Sequence, residues 1–199
     1  MIKNTKLLNN EKGHICIDGL AIAKFSRAVF KDMQRGQITA ANCTCSVWEN
    51  FNKTIENLII WNDHFKKNND IICHVKTSDD IISAQVEGKV GIILGWQNTS
   101  AIEDDLKKLQ IFYDLGIRVV QLTYNTQNLV GSGCWESNDS GLSDFGKDVV
   151  LEMNRLGMVI DLSHVGPKTS SDTIRESKSP VAYTHCCPAL KKHPRNKTD

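Results

Sequence analysis

The sequence contains no apolar run approaching the roughly 20 residues that a membrane-spanning helix requires. Its opening stretch, MIKNTKLLNNEKGH, has no apolar h-region of a secretory signal, and no lipid-anchor signature is found. GxGxxG is absent, as is GxxxxGK followed by Ser or Thr, which removes the usual phosphate-binding signatures of an open α/β sheet. Charge imbalance is missing too: 24 basic against 23 acidic side chains leave a net charge of +1. That exerts no general pull toward nucleic acid or an anionic membrane, and neither is expected as a partner. The one basic stretch, 191–197, is short and reads as a solvated face.

CxxC spacing is also lacking. The seven cysteines are odd in number, with Cys43 and Cys45 two apart and Cys186 and Cys187 adjacent. This is not a disulfide or zinc-ribbon framework. Cys16, Cys43 and Cys73 lie in or beside apolar runs, where a thiol acts as a small hydrophobe, so the set reads as reduced and a cytoplasmic location is expected. With four prolines and no low-complexity or Pro/Gly-rich linker in 199 residues, one domain over 1–199 is the expectation.

What the chain does have is a rhythm of short apolar runs followed by amphipathic segments. Strands are expected at 15–20, 40–47, 71–75, 90–96, 117–124, 158–163 and 180–184. Helices are expected at 52–68, 77–87, 100–116, 144–156 and 167–177. VGIILGW is the clearest buried strand, a continuous apolar run of the kind that a parallel sheet covered on both faces requires. Alternating strands and helices with short connections predict a mainly parallel α/β fold. Polar or titratable residues follow several different strands: Asp18, Gln97, Tyr124, His164 and His185. In a (β/α)8 TIM-type barrel such positions converge on one catalytic face. Six or seven strands are visible where a barrel has eight, so the barrel is expected to be incomplete at its C-terminus.

His164 and His185 form the sharpest pair. Each ends a strand, and imidazole is the commonest zinc ligand. Spacing alone leaves metal ligation and two satisfied strand-end histidines as open readings. Asp161, three residues before His164, is expected to face the other way, since three positions invert the pleat. Arg195 and Asn196 follow the His185 strand and could grip a substrate carboxylate, or be an ordinary surface pair. The polar segment 125–141 is long for a βα connection and holds Glu136 and Asp139; it reads as a surface excursion or as a lid carrying an acid. His14, His64, His74 and His193 read as structural or solvent-exposed.

LGIRVVQLTYNTQN, GLSDFGKDVVLEMNRLGMVIDLSHVG, SPVAYTH and HPRNKTD, in that order, resemble the membrane (renal) dipeptidase family, the M19 metallopeptidases. The similarity runs from about Ile15 to Asp199 and is densest from Gly91 onward. It implies an amidohydrolase-like (β/α)8 barrel and hydrolysis of dipeptides at a two-zinc centre, where a bridging hydroxide attacks the peptide carbonyl. By the same resemblance His164 and His185 match the histidines of one zinc, and Arg195 with Asn196 matches the substrate-carboxylate segment. Elsewhere the chain departs from the family. Its DGHxD pattern is DGLAI here, so Leu20 and Ile22 stand where the other zinc's ligands would be. The bridging glutamate is Gln97, the substrate-polarising histidine is Tyr124, and a further catalytic acid would lie beyond residue 199.

Four departures of this kind argue against a conventional two-zinc centre. The expected reading is a divergent metal-dependent hydrolase of dipeptides or related small amides. Zinc is its cofactor, one ion rather than two, with no metal as the fallback. His164 and His185 are its ligands, with Glu136 or Asp18 as a candidate third. Tyr124, Gln97 and Glu136 are the candidate catalytic groups, and Arg195 and Asn196 the substrate anchors. A site rebuilt for other hydrolytic chemistry stays open, as does a homodimer, and the alternative class is a non-catalytic small-molecule binding protein. Because a barrel lacking strands leaves a sheet edge open, the 199-residue chain is expected to hydrolyse dipeptides poorly. Activity equal to that of a longer chain carrying the remaining strands would overturn that expectation.

Overall fold

The computed structural model describes residues 14–186. Within them, seven strands alternate with six α-helices: β1 Ile17–Ala21, α1 Arg27–Arg35, β2 Ala40–Ser46, α2 Phe51–Lys67, β3 Ile72–His74, α3 Ser78–Glu87 and β4 Val90–Trp96. Then come α4 Lys107–Asp114, β5 Ile117–Gln121, α5 Asp144–Leu156, β6 Val159–Asp161, α6 Pro167–Glu176 and β7 Val181–Ala182. Every strand pairing is parallel, and the main path runs β1-β2-β4-β5-β6-β7. β2 occupies one edge of β4. β3 takes the other edge along Val90–Ile92 and β5 takes it over from Leu94. The strands form a curled, parallel part of a (β/α)8 barrel, as the alternation of the sequence predicts.

Local signals start and stop the helices where tertiary packing needs them. Asn50 and Ser143 cap α2 and α5 by accepting from the backbone N–H groups of Lys53 and Gly146. Thr77 and Asp80 form a reciprocal capping box on α3. Gly88 and Gly157 close α3 and α5 in the left-handed conformation, at φ 68° and 76°. On α5 the buried face is Val149, Val150, Met153 and Leu156, at helical spacing.

Two elements differ from the sequence expectation. Helix α1 has no counterpart in it, since the nine-residue segment is short and mostly polar and only Phe30 on it is fully buried. The long helix expected over 100–116 is broken. A single 3-10 turn spans Thr99–Ile102, Glu103 adopts φ +53°, and α4 begins after the Asp105 carboxylate accepts the Lys107 N–H. Local turn chemistry there overrides an apolar pattern that reads through the break.

The outward faces of the strands and the helices share one core. Ala41, Cys43 and Cys45 of β2, Ile92, Leu94 and Trp96 of β4, and Val120 and Ile160 are all buried in it. Trp96 meets the edge of Phe112 at 4.7 Å between centroids, and Phe51 meets Phe112 at 5.2 Å. Each such fully buried large side chain stabilises the fold by about 1.5–3 kcal/mol. The alternate positions point inward and are more polar: Asn42 and Thr44, Gly95, Gln121, then Asp161. The Asn42 side chain leans over Gly95, the partner of Thr44 on β4, and fits there because Gly95 has no side chain; a Cβ would overlap the Asn42 amide oxygen. The amide nitrogen of Asn42 reaches the Gly19 carbonyl at 3.0 Å and ties β2 to β1 across the interior.

His64 and His74 are structural, as expected. The His74 ring lies flat on Phe65 at 4.6 Å, with Nε2 3.3 Å from the Gly116 carbonyl where β5 begins. Burial drives its pKa down to about 4; the Gly116 carbonyl opposes this, and Lys76 and Arg118 add to the depression. The unfolded chain therefore binds a proton that the folded chain does not over the interval from about 6.5 down to about 4. His74 is expected to withdraw stability as pH falls through that interval and to leave it unchanged above it. Urea midpoints measured at pH 7 and pH 4.5 should separate more for the parent protein than for His74→Gln, and equal separations would refute the assignment.

Candidate active site

The C-terminal ends of β5, β6 and β7 bring Tyr124, His164 and His185 into one row at the barrel mouth. Tyr124 stacks on His164 with ring centroids 4.4 Å apart and planes 20° from parallel. His164 packs against His185 at 4.9 Å. On the solvent side, Trp48 from the β2–α2 turn meets Tyr124 edge-on at 5.2 Å and is 60% exposed. Two histidines that are twenty-one positions apart in sequence are thus neighbours because parallel strands deliver their ends to the same face.

Each imidazole is held through Nδ1. His164 Nδ1 is 2.6 Å from the Asn125 amide oxygen, which also accepts the Cys134 thiol at 3.5 Å. An amide oxygen only accepts, so His164 Nδ1 carries the proton. Asn125 and His164 both lie in the left-handed region, at φ 65° and 59°, and this backbone twist turns the two side chains together. Asn125 is fixed in turn by its carbonyl, which accepts the Trp135 N–H at 2.8 Å, while Cys134 N–H donates to the His164 carbonyl at 2.9 Å.

His185 is held by a buried polar cluster. Asp161, 1% exposed, accepts the Ser163 N–H at 2.8 Å, the Ser163 hydroxyl at 2.7 Å and the Thr184 hydroxyl at 2.6 Å. The Thr184 N–H lies farther off, at 3.3 Å. Ser163 Oγ accepts the His185 N–H at 3.1 Å, and Thr184 Oγ1 lies 2.8 Å from His185 Nδ1. Burial holds the His185 imidazole below its ordinary pKa, with the Asp161 carboxylate 3.9 Å away opposing it. His185 Nε2 is buried and has no hydrogen-bond partner among the described residues. A buried polar atom left in that state costs on the order of 1–3 kcal/mol.

Asp161 corrects the expectation drawn from the pleat. It lies with the histidines rather than away from them, because β6 ends at Asp161 and His164 sits beyond it on a left-handed turn, where strand alternation no longer applies. Asp161, Ser163, Thr184 and Asn125 are site residues that sequence reasoning missed. The alternation Ile160, Asp161, Leu162, Ser163 carries a signal for the first two, since a polar residue recurs on one face of a buried run.

Gln97 is 3% exposed and bridges the interior. Its amide nitrogen donates to Thr44 Oγ1 at 3.0 Å, its N–H to the Ser46 carbonyl at 3.0 Å, and its own carbonyl accepts from Gln121 Nε2 at 2.5 Å. Glu136 accepts the Gln127 N–H at 2.6 Å and so staples its own loop. Asp139 caps α6 by accepting from Lys168 N and from the Thr169 hydroxyl. Asn128 braces the same loop, donating to Asn98, Thr99 and the Leu122 carbonyl. The segment 125–141 is therefore an organised wall of the mouth, and both of its acids have structural partners. Asp18 turns back to accept the Leu20 N–H at 3.1 Å, and Ile22 is 66% exposed. Arg195 and Asn196 lie outside the described residues.

Among the described residues no group of three or more His, Cys, Asp or Glu side chains could hold a metal ion. Cys43 and Cys45 belong to the helix-facing core, where burial raises their thiol pKa values and keeps them poor ligands. Two adjacent imidazoles could supply two nitrogen ligands to one borderline-soft divalent ion, with its other positions filled from elsewhere. Leu20 and Ile22 offer a second ion nothing.

The family model for membrane dipeptidase, peptidase family M19, matches residues 22–199. The chain belongs to this family. It is 37% identical over 140 residues to an uncharacterised dipeptidase of Schizosaccharomyces pombe, covering 67% of this chain and 33% of that protein. A crystal structure of an amidohydrolase from Pseudomonas aeruginosa superposes with a TM-score of 0.90 at 52% identity, over 92% of this chain and 57% of that one. A metallopeptidase from Rhodobacter sphaeroides, liganded with a phosphinate mimic of the dipeptide L-Ala-D-Ala, shares the fold at a TM-score of 0.81 and 18% identity. This last match covers 92% of this chain and 68% of that one. The M19 chain described here thus spans a third of that curated relative and just over half of the Pseudomonas structure. No helix among the described residues is long and apolar enough to cross a membrane.

The loop that carries Asn125 is tightly closed on itself at Gly133, where a Cβ would overlap the Asn125 carbonyl group and come within 2.6 Å of Thr126 N. Gly133→Ala is expected to push Asn125 away from His164 and to destabilise the fold by about 1–3 kcal/mol. Thermal unfolding together with the His164 ring resonances checks this, and an unshifted His164 environment would contradict it.

Proposed function

We propose that the mouth is a one-metal hydrolase site for dipeptides or similar small amides, with His164 and His185 as the protein's ligands. The observation that carries this reading is the buried Nε2 of His185, without a hydrogen-bond partner among the described residues, on a ring that packs against His164, both imidazoles being held at Nδ1. Membership of the dipeptidase family supports the substrate class, and the 52%-identical Pseudomonas amidohydrolase supports amide chemistry. When bound, a zinc ion would act as a Lewis acid on the scissile carbonyl.

The remaining work falls to this chain's own side chains. Tyr124, stacked on His164, is the candidate donor to the carbonyl oxygen, taking the place of the family's histidine. Gln97 fixes the floor of the mouth through Thr44 and Gln121. Trp48 and Tyr124 form an aromatic wall along which an apolar substrate side chain can lie. Arg195, with Asn196 beside it, is the proposed clamp for the substrate's terminal carboxylate, matching a guanidinium fork to two oxygens. Glu136 remains a candidate acid only if it exchanges its bond to Gln127 for one to substrate.

A single-ion centre predicts one equivalent of zinc, iron or manganese per chain in protein purified without chelator. His185→Ala should release it, and chelation should abolish dipeptide hydrolysis. Elemental analysis showing no bound metal in a folded sample would remove the basis of the hydrolase reading and favour a binding protein. Metal retained in full by a His164→Ala, His185→Ala double variant would overturn the ligand assignment.

A further inference from the structure

The cluster beneath His185 does more than fill space. Thr184 Oγ1 has one proton and two close neighbours, Asp161 Oδ2 at 2.6 Å and His185 Nδ1 at 2.8 Å. A carboxylate oxygen can only accept, so the hydroxyl proton goes to Asp161. The lone pair that Thr184 then turns toward His185 is matched only by an N–H on Nδ1. An unprotonated Nδ1 would leave two lone pairs facing each other at 2.8 Å. Asp161 cannot simply be redirected. It accepts from Ser163 N–H and Ser163 hydroxyl as well, and it is sealed from water at 1% exposure. Ser163 Oγ in turn takes the backbone N–H of His185, so the same carboxylate orders both the ring and the main chain of that residue.

We propose that Thr184 is a positioning residue that relays the Asp161 carboxylate to His185, fixing the Nδ1–H tautomer and so leaving Nε2 with its lone pair unprotonated on the ring that packs against His164. The chain runs His185 Nδ1–H to Thr184 Oγ1, then Thr184 Oγ1–H to Asp161. It performs through a hydroxyl what a carboxylate directly bonded to a ligating histidine performs elsewhere: it sets the tautomer, orients the ring and raises its basicity toward a cation. Asp161 does not reach the ring itself, since its nearer oxygen is 3.9 Å from Nδ1. The hydroxyl between them closes that distance. This inference rests on the metal reading above for its use, but the tautomer it predicts is a property of the metal-free chain.

The test has two readouts. Long-range 1H–15N correlation spectra of the metal-free 199-residue chain at neutral pH, assigned with His185→Gln, should show His185 protonated at Nδ1 and bare at Nε2. Thr184→Val, which keeps the shape and removes the hydroxyl, should shift His185 toward the Nε2–H form or a mixture, and Thr184→Ser should restore the parent pattern. Zinc affinity should fall about 10- to 100-fold in Thr184→Val and recover in Thr184→Ser. An Nε2–H tautomer in the parent chain overturns the proposal, and this holds even where Thr184→Val does not fold. An unchanged tautomer in folded Thr184→Val overturns it equally. If the tautomers behave as described and no variant or parent binds zinc, the positioning role stands and the one-metal function fails.

Discussion

Asp161 is a carboxylate at the end of a three-residue strand, 1% exposed, and among the described residues only the imidazole of His185 lies within ion-pair distance of it. Burying such a group without compensation is among the most costly things a fold can do. Its neighbours are arranged to meet that cost with short donors: the hydroxyls of Ser163 and Thr184 and the N–H of Ser163. These donors come from the ends of two adjacent strands. Satisfying Asp161 therefore locks β6 to β7 just past their last backbone pair, Asp161 with Ala182. His185 follows directly from that lock, because Ser163 holds its N–H and Thr184 faces its ring.

The second histidine depends on a different device. His164 leaves β6 through a left-handed turn and is met by Asn125, itself left-handed, from the loop after β5. That loop is long and polar, yet it is ordered by side chains that act as backbone surrogates. Asn128 alone accepts from Val130 and Gly131 and donates to three acceptors on the preceding elements. Asp139 ties the far end of the loop to the start of α6. The mouth is thus heavily hydrogen-bonded on the side of β5 to β7, while the β1 side carries Asp18, Leu20 and Ile22. β1 and β7 nonetheless approach each other, for a Cβ on Gly19 would come within 2.5 Å of the Thr184 carbonyl oxygen.

Much of the architecture was legible in the residues. The continuous apolar run VGIILGW, the capping box at Thr77 and the glycines closing α3 and α5 specify their elements locally, and those elements form where the pattern predicts. Helix α1 and the break at Glu103 were not legible, because one is held by tertiary burial of Phe30 and the other by turn geometry within an unbroken apolar rhythm. At the site, His164 and His185 could be named as a pair since each follows a strand. Their partners could not, since Asn125, Ser163 and Thr184 are common polar residues whose roles arise only from what they face.

By itself, then, the sequence determined the strand–helix alternation and the family, because these depend on residue type and order. Tertiary structure alone decided that Asp161 sits beneath His185, that the loop acids Glu136 and Asp139 are committed to backbone partners, and that His185 Nε2 is buried with no hydrogen-bond partner among the described residues. The reason is physical: a hydrogen bond is set by where two atoms meet across the fold, and no pattern along the chain encodes that distance.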